Sequence, residues 1–139
     1  MHKEKWITAG FILAGCVNVA GIPVFSKLFS NQLLMTTDAG AFSIVGLGVI
    51  MLWGLAYIAV SVSYSLVPGI IAVFALEKFF YTAFWGRWLW QHGGELNAIY
   101  AQDTLTGFFY SIYGVNDFLF GVFFLYVFIY LRKQKQVFP

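Results

Sequence analysis

Charged side chains are scarce in this sequence: they make up 10% of its residues, against about 25% in a soluble domain. Cysteine is nearly absent. The lone Cys16 excludes an internal disulfide and any paired-thiol metal or redox centre. Both histidines, His2 and His92, fall outside the long apolar stretches and leave a haem no axial ligands within a bundle. The chain also lacks a Glu-x-x-His pair, an HExxH helix, a phosphate-binding glycine loop and a Ser/His/Asp set. No catalytic residue, metal ligand or cofactor is therefore assigned. The net charge of +2 is too small to indicate a nucleic-acid partner.

What is present is apolar: 60% hydrophobic residues, 21% aromatic ones and a mean hydropathy of +0.79. A soluble domain of about 150 residues buries only about 68–70% of the surface its unfolded chain exposes, so water is the wrong solvent for this composition. Lipid is the right one. The uncharged run over residues 6–26 just spans a hydrocarbon core of about 30 Å at about 1.5 Å per residue. The next run, residues 39–76, is too long for one helix, and Ser61, Ser63, Tyr64 and Ser65 before Pro68-Gly69 supply its only turn chemistry. No alternation of period two supports a barrel. The expected fold is all-α, one domain over residues 1–139 forming a four-transmembrane-helix antiparallel bundle, with helices at about 6–29, 39–60, 68–90 and 106–131.

Lys3 and Lys5 precede the first helix, and Arg132, Lys133 and Lys135 follow the fourth. This bias predicts both termini in the cytoplasm. Lys27, Asp38, Arg87, His92, Glu95 and Asp103 then fall on the opposite side, with Trp85, Trp88 and Trp90 as an interfacial belt and Tyr100 close by. That group reads as solvated loops and an anchoring belt in preference to a ligand vestibule. Leu13-Ala14-Gly15-Cys16 matches a bacterial lipobox, yet the apolar run continues past it. The expectation is an uncleaved helix with Cys16 as a small packing residue.

Gly107, Gly114 and Gly121 recur every seventh residue, with Tyr110, Asp117 and Phe124 on the neighbouring position, which predicts the inner stripe of the fourth helix. Gly10, Ala14, Asn18 and Gly21 form a similar stripe on the first. Three charges stand at membrane depth, where an Asp or Lys costs about 2.5 to 3.5 kcal/mol. Helical rise puts Lys78 about 15 Å and Asp117 about 21 Å above the cytoplasmic boundary, a gap that a Lys stem closes. Asn18 and Asn116 share that level. The expectation is a polar layer of Asn18, Lys78, Asn116 and Asp117, with Glu77 turned aside, bonded to a backbone carbonyl or to Tyr81 if it is structural, and otherwise poised to carry a proton or hold a cation.

Ala75-Leu76-Glu77-Lys78-Phe79-Phe80-Tyr81 followed by Tyr113-Gly114-Val115-Asn116-Asp117-Phe118-Leu119-Phe120-Gly121 resembles a group of small bacterial four-helix inner-membrane proteins without assigned function. The resemblance implies a multi-pass protein of the bacterial inner membrane and no particular activity. On the residues themselves, Glu77, Lys78, Asp117, Asn18, Asn116 and Tyr81 are the candidate ligand or ion site. The leading expectation is small-molecule binding or ion- or proton-coupled transport, with lipid and a small ligand as partners. An accessory subunit of a membrane complex, its buried charges purely structural, is the alternative; a lipid-modifying enzyme using buried acids comes third.

Overall fold

A computed structural model describes residues 4–137, so His2 and Lys3 lie outside the described residues. The chain is all-α, with no strand among those residues. Its helices are α1 (Lys5–Phe25), α2 (Gln32–Thr37), α3 (Ala39–Phe42), α4 (Ile44–Val60), α5 (Pro68–His92), α6 (Leu96–Gln102) and α7 (Thr104–Val137). Short 3-10 turns, Tyr64–Leu66 and Gly93–Glu95, precede α5 and α6. Three helical stretches, Lys5–Phe25, Pro68–Gln102 and Thr104–Gln136, are long and apolar enough to cross a membrane; Ile44–Val60 is apolar but shorter.

Helix ends depart from the sequence expectation where local chemistry intervenes. α1 stops at Phe25 instead of reaching residue 29, because Lys27, Leu28 and Phe29 turn into the left-handed region with φ of 50°, 54° and 64°. Such backbone costs about 1–3 kcal/mol per non-glycine residue and needs outside support. Asn31 provides it: its Nδ2 donates to the Phe25 carbonyl at 2.9 Å and to Thr106 Oγ1 at 2.8 Å, while its Oδ1 caps α2 at Leu34. The expected helix over 39–60 is broken at Ser43, whose hydroxyl accepts from the Gly46 amide and starts α4 afresh. Only glycine fits at residue 46, since a Cβ there would strike the Ala41 carbonyl. Pro68 opens α5 at its first turn, and the polar stretch 91–103, expected as a loop, is mostly helical as α6.

The long helices pack as two antiparallel pairs, α1 with α4 and α5 with α7. At the first crossing Gly15 and Gly54 face each other, and a Cβ on either would meet the other's carbonyl oxygen. At Gly21, expected in that stripe, an added Cβ would meet nothing within 4 Å. The two pairs meet through side chains in two apolar clusters. Ile7, Phe11, Tyr57, Phe74, Phe124 and Leu131 belong to the cluster at the end that holds Glu4 and Leu131. Ile22, Phe42, Leu47, Trp88, Phe109 and Tyr110 belong to the cluster at the other. In sequence order on α1, α5 and α7, the buried polar residues Asn18, Glu77, Lys78 and Asp117 fall between these clusters.

The α7 stripe is buried throughout, but its glycines serve aromatic rings and not helix backbones. Tyr100 lies on Gly107, Trp85 on Gly114 and Phe79 on Gly121. Trp85 and Trp88, expected as a surface belt, therefore pack inwards: Trp85 donates Nε1–H to the Tyr110 carbonyl at 2.8 Å, and Trp88 is 5% exposed. Trp90 alone of the three stands out, 91% exposed. Cys16, expected to pack, is exposed on α1.

Candidate functional site

Lys78 is the hub of the polar layer. A lysine this deep, 2% exposed, must spend its donors on protein. Its Nζ donates to Asp117 Oδ1 at 2.8 Å and to Asn18 Oδ1 at 3.3 Å, and lies 5.3 Å from the centre of the Tyr57 ring. Three helices thus supply one ammonium with a carboxylate, an amide and a π face. Asn18 is held in turn by donating Nδ2–H to the Ile50 carbonyl on α4 at 3.1 Å. Asn116 donates to Asp117 Oδ1 at 3.4 Å, so that single oxygen receives both neighbours.

Glu77 has neither of the partners expected of it in a purely structural role. Neither Tyr81 nor a backbone carbonyl holds it; the Tyr57 hydroxyl of α4 donates to Oε2. One helix step separates it from Lys78, so it faces α4 while Lys78 faces α1 and α7. Tyr57, fully buried, touches both neighbours on α5, its hydroxyl on Glu77 and its ring beneath Lys78. It is the residue that sequence reasoning missed. Tyr57 and Trp53 carry the only N–H or O–H side chains in the otherwise apolar α4, and that contrast is the signal a closer reading offers.

All six candidate residues, Asn18, Glu77, Lys78, Tyr81, Asn116 and Asp117, line one cavity of about 120 Å³ between the two helix pairs. Its remaining wall is apolar and aromatic, with Ile22, Phe42, Phe109 and Tyr113 among its members. A second, apolar groove on the α4–α5 side is lined by Val49, Phe80 and Phe84, and it shares Tyr81 with the first. Tyr81 is thus a wall of both spaces.

The outer group of charges does not gather into one vestibule. Lys27 Nζ pairs with Asp103 Oδ1 at 2.9 Å, and His92 Nδ1 lies 3.0 Å from Glu95 Oε1 within α5 and the turn that follows. Hydrogen bonding from Lys27 and then from Thr106 holds the Asp103 carboxyl down at about 2. Comparison with protein-family models, with curated proteins and with solved structures gave no match. The chemistry of the site rests on its own geometry.

Proposed function

We propose that the chain is a multi-pass protein of the bacterial inner membrane, one domain crossing four times with both termini cytoplasmic, that binds a small ligand at mid-depth and couples it to ion or proton movement. The observation that carries this reading is the cavity itself: two carboxyls, an ammonium and two amides at the level between the apolar clusters all border the same space. Charges kept only to lock helices together need no space beside them. The apolar outer surface supports immersion of all four long helices, α4 included, since Ile44, Val45 and Leu52 are exposed there alongside Leu13 on α1, Leu76 on α5 and Leu119 on α7. At about 1.5 Å per residue α4 alone falls short of about 30 Å, so its crossing rests on that exposed apolar surface.

Glu77→Gln tests the reading, because the amide keeps the size of the side chain and an acceptor for Tyr57. Purified protein in nanodiscs is screened by thermal stabilisation against inorganic cations, amines, carboxylates and sugars. Glu77→Gln should melt close to the wild type and lose every shift that the wild type shows. A wild type that no class of compound stabilises, or hits that survive in Glu77→Gln, would leave the accessory-subunit reading in its place. That alternative has one specific support, the Lys78–Asp117 pair that ties α5 to α7.

A further inference from the structure

The carboxyl groups of the cavity wall keep unused acceptor capacity. Asp117 receives Lys78 and Asn116 on Oδ1 alone, and Glu77 receives Tyr57 on Oε2 alone. Tyr113, a lining residue only 7% exposed, has a hydroxyl with no hydrogen-bond partner among the described residues. Lys78, by contrast, already has Asp117, Asn18 and the Tyr57 face. Two carboxyls thus share one ammonium, and when both are ionised the layer carries one negative charge in excess. Rings of Phe42, Phe109 and Tyr113 complete the wall. Free acceptors, excess negative charge and aromatic faces together favour a cationic head that can donate hydrogen bonds.

The helices around the cavity show how such a head enters. α1 and α7 run antiparallel, with the Phe123 ring against Gly10 towards one end and Phe25 packed on Phe108 and Phe109, at 6.2 and 5.3 Å between ring centres, towards the other. The same register brings residue 17 to the level of 116 and residue 21 to the level of 112. Val17, Gly21, Ile112 and Asn116 all line the cavity, and a Cβ on Gly21 would meet nothing within 4 Å. Between two aromatic closures there is a window flanked by the exposed apolar residues Leu13, Val24, Val115 and Leu119. A volume of about 120 Å³ is close to that of a cavity of about 150 Å³ that accepts benzene, enough for an ammonium head and its first methylenes but not for a long chain.

We propose that the ligand is an amphiphilic amine taken from the bilayer, its ammonium on Glu77, Asp117 and Tyr113 and its apolar tail leaving between α1 and α7 past Gly21. This rests on the ligand-cavity reading above. Decylammonium, decanol and decanoate are titrated over the same concentration range into nanodiscs, with ethylammonium added from water, and thermal stabilisation is the readout. Decylammonium should act at about tenfold lower concentration than any of the others. Glu77→Gln and Gly21→Leu should each abolish its effect, while Gly48→Leu, a control on α4 where an added side chain also meets open space, should retain it.

No response to decylammonium, or an equal response to decanol or decanoate, overturns the amine. An equal response to ethylammonium that Gly21→Leu leaves intact overturns entry from the bilayer. In each case other compounds whose stabilisation depends on Glu77 keep the cavity reading standing. If no compound of any class has a Glu77-dependent effect, the cavity reading fails with it.

Discussion

Lys78 and Asp117 illustrate what a buried charge needs from its neighbours. Their 2.8 Å contact lies where side-chain exposure is 2% and 11%, so bulk water does little to solvate either charge. Removing one partner, as in Lys78→Met or Asp117→Leu, should destabilise by about 3–5 kcal/mol, and the double variant by less than the sum. Unfolding in mixed micelles measures this cycle, and strictly additive losses would remove the pair from the account. Asp103 is the opposite case, at the loop end of the molecule. Its carboxyl is held at about 2, below its ordinary 3.8, first by Lys27 and then by Thr106. A lowered folded value contributes stability that is present above the ordinary value and lost as the pH falls through the folded one. Melting temperatures should therefore fall between about pH 4 and about pH 2 more steeply in the wild type than in Asp103→Asn. Parallel curves would show that the left-handed turn at Lys27 to Phe29 stands without that ion pair.

At the scale of elements, the glycines divide by what faces them. Gly114 is the floor for the Trp85 ring, which its own hydrogen bond to the Tyr110 carbonyl fixes in place. Gly114→Ala should overpack that contact and cost about 1–3 kcal/mol. Gly48→Ala, with open space around it, should stabilise by up to about 1 kcal/mol because alanine loses less backbone entropy in a helix. Thermal unfolding of the two variants side by side decides whether ring packing sets these positions: if Gly114→Ala is neutral, Trp85 moves freely and the stripe is not a seat. The stripe itself was legible from the seven-residue spacing. Its occupants were not, because the rings on Gly107, Gly114 and Gly121 come from α6 and α5, and no spacing within α7 encodes them.

For the whole molecule the arrangement of ends is the testable quantity. The Glu4 amide donates to the Tyr64 hydroxyl at 2.7 Å, which brings the start of α1 and the α4–α5 turn to one end, and the Lys27–Asp103 pair joins the loops at the other. In a protein whose only native thiol, Cys16, has been changed to Ser, Gly94→Cys should react with an impermeant maleimide from the outer side. Gln136→Cys should react only after the inner side is opened. The reverse pattern would invert the orientation read from the basic termini.

The sequence by itself determined the all-α architecture, the long apolar segments and the level of the buried charges, because each follows from spacing along one chain: runs without charge, helical rise, and the cost of an unsatisfied backbone in an apolar medium. Asn18, Lys78, Asn116 and Asp117 were readable as one layer for that reason. Which side chain meets which across that layer depends on how each helix is rotated about its axis. α4 is apolar nearly all round, and α5 spreads its polar residues over several sides, so neither carries much bias to specify that rotation. Only the tertiary structure decided that Tyr57 and not Tyr81 holds Glu77, that Gly15 and not Gly21 meets α4, and that a space remains beside the charges. These are outcomes of packing between surfaces distant in the chain, where a single ring or a missing Cβ fixes whether two helices touch or stand apart.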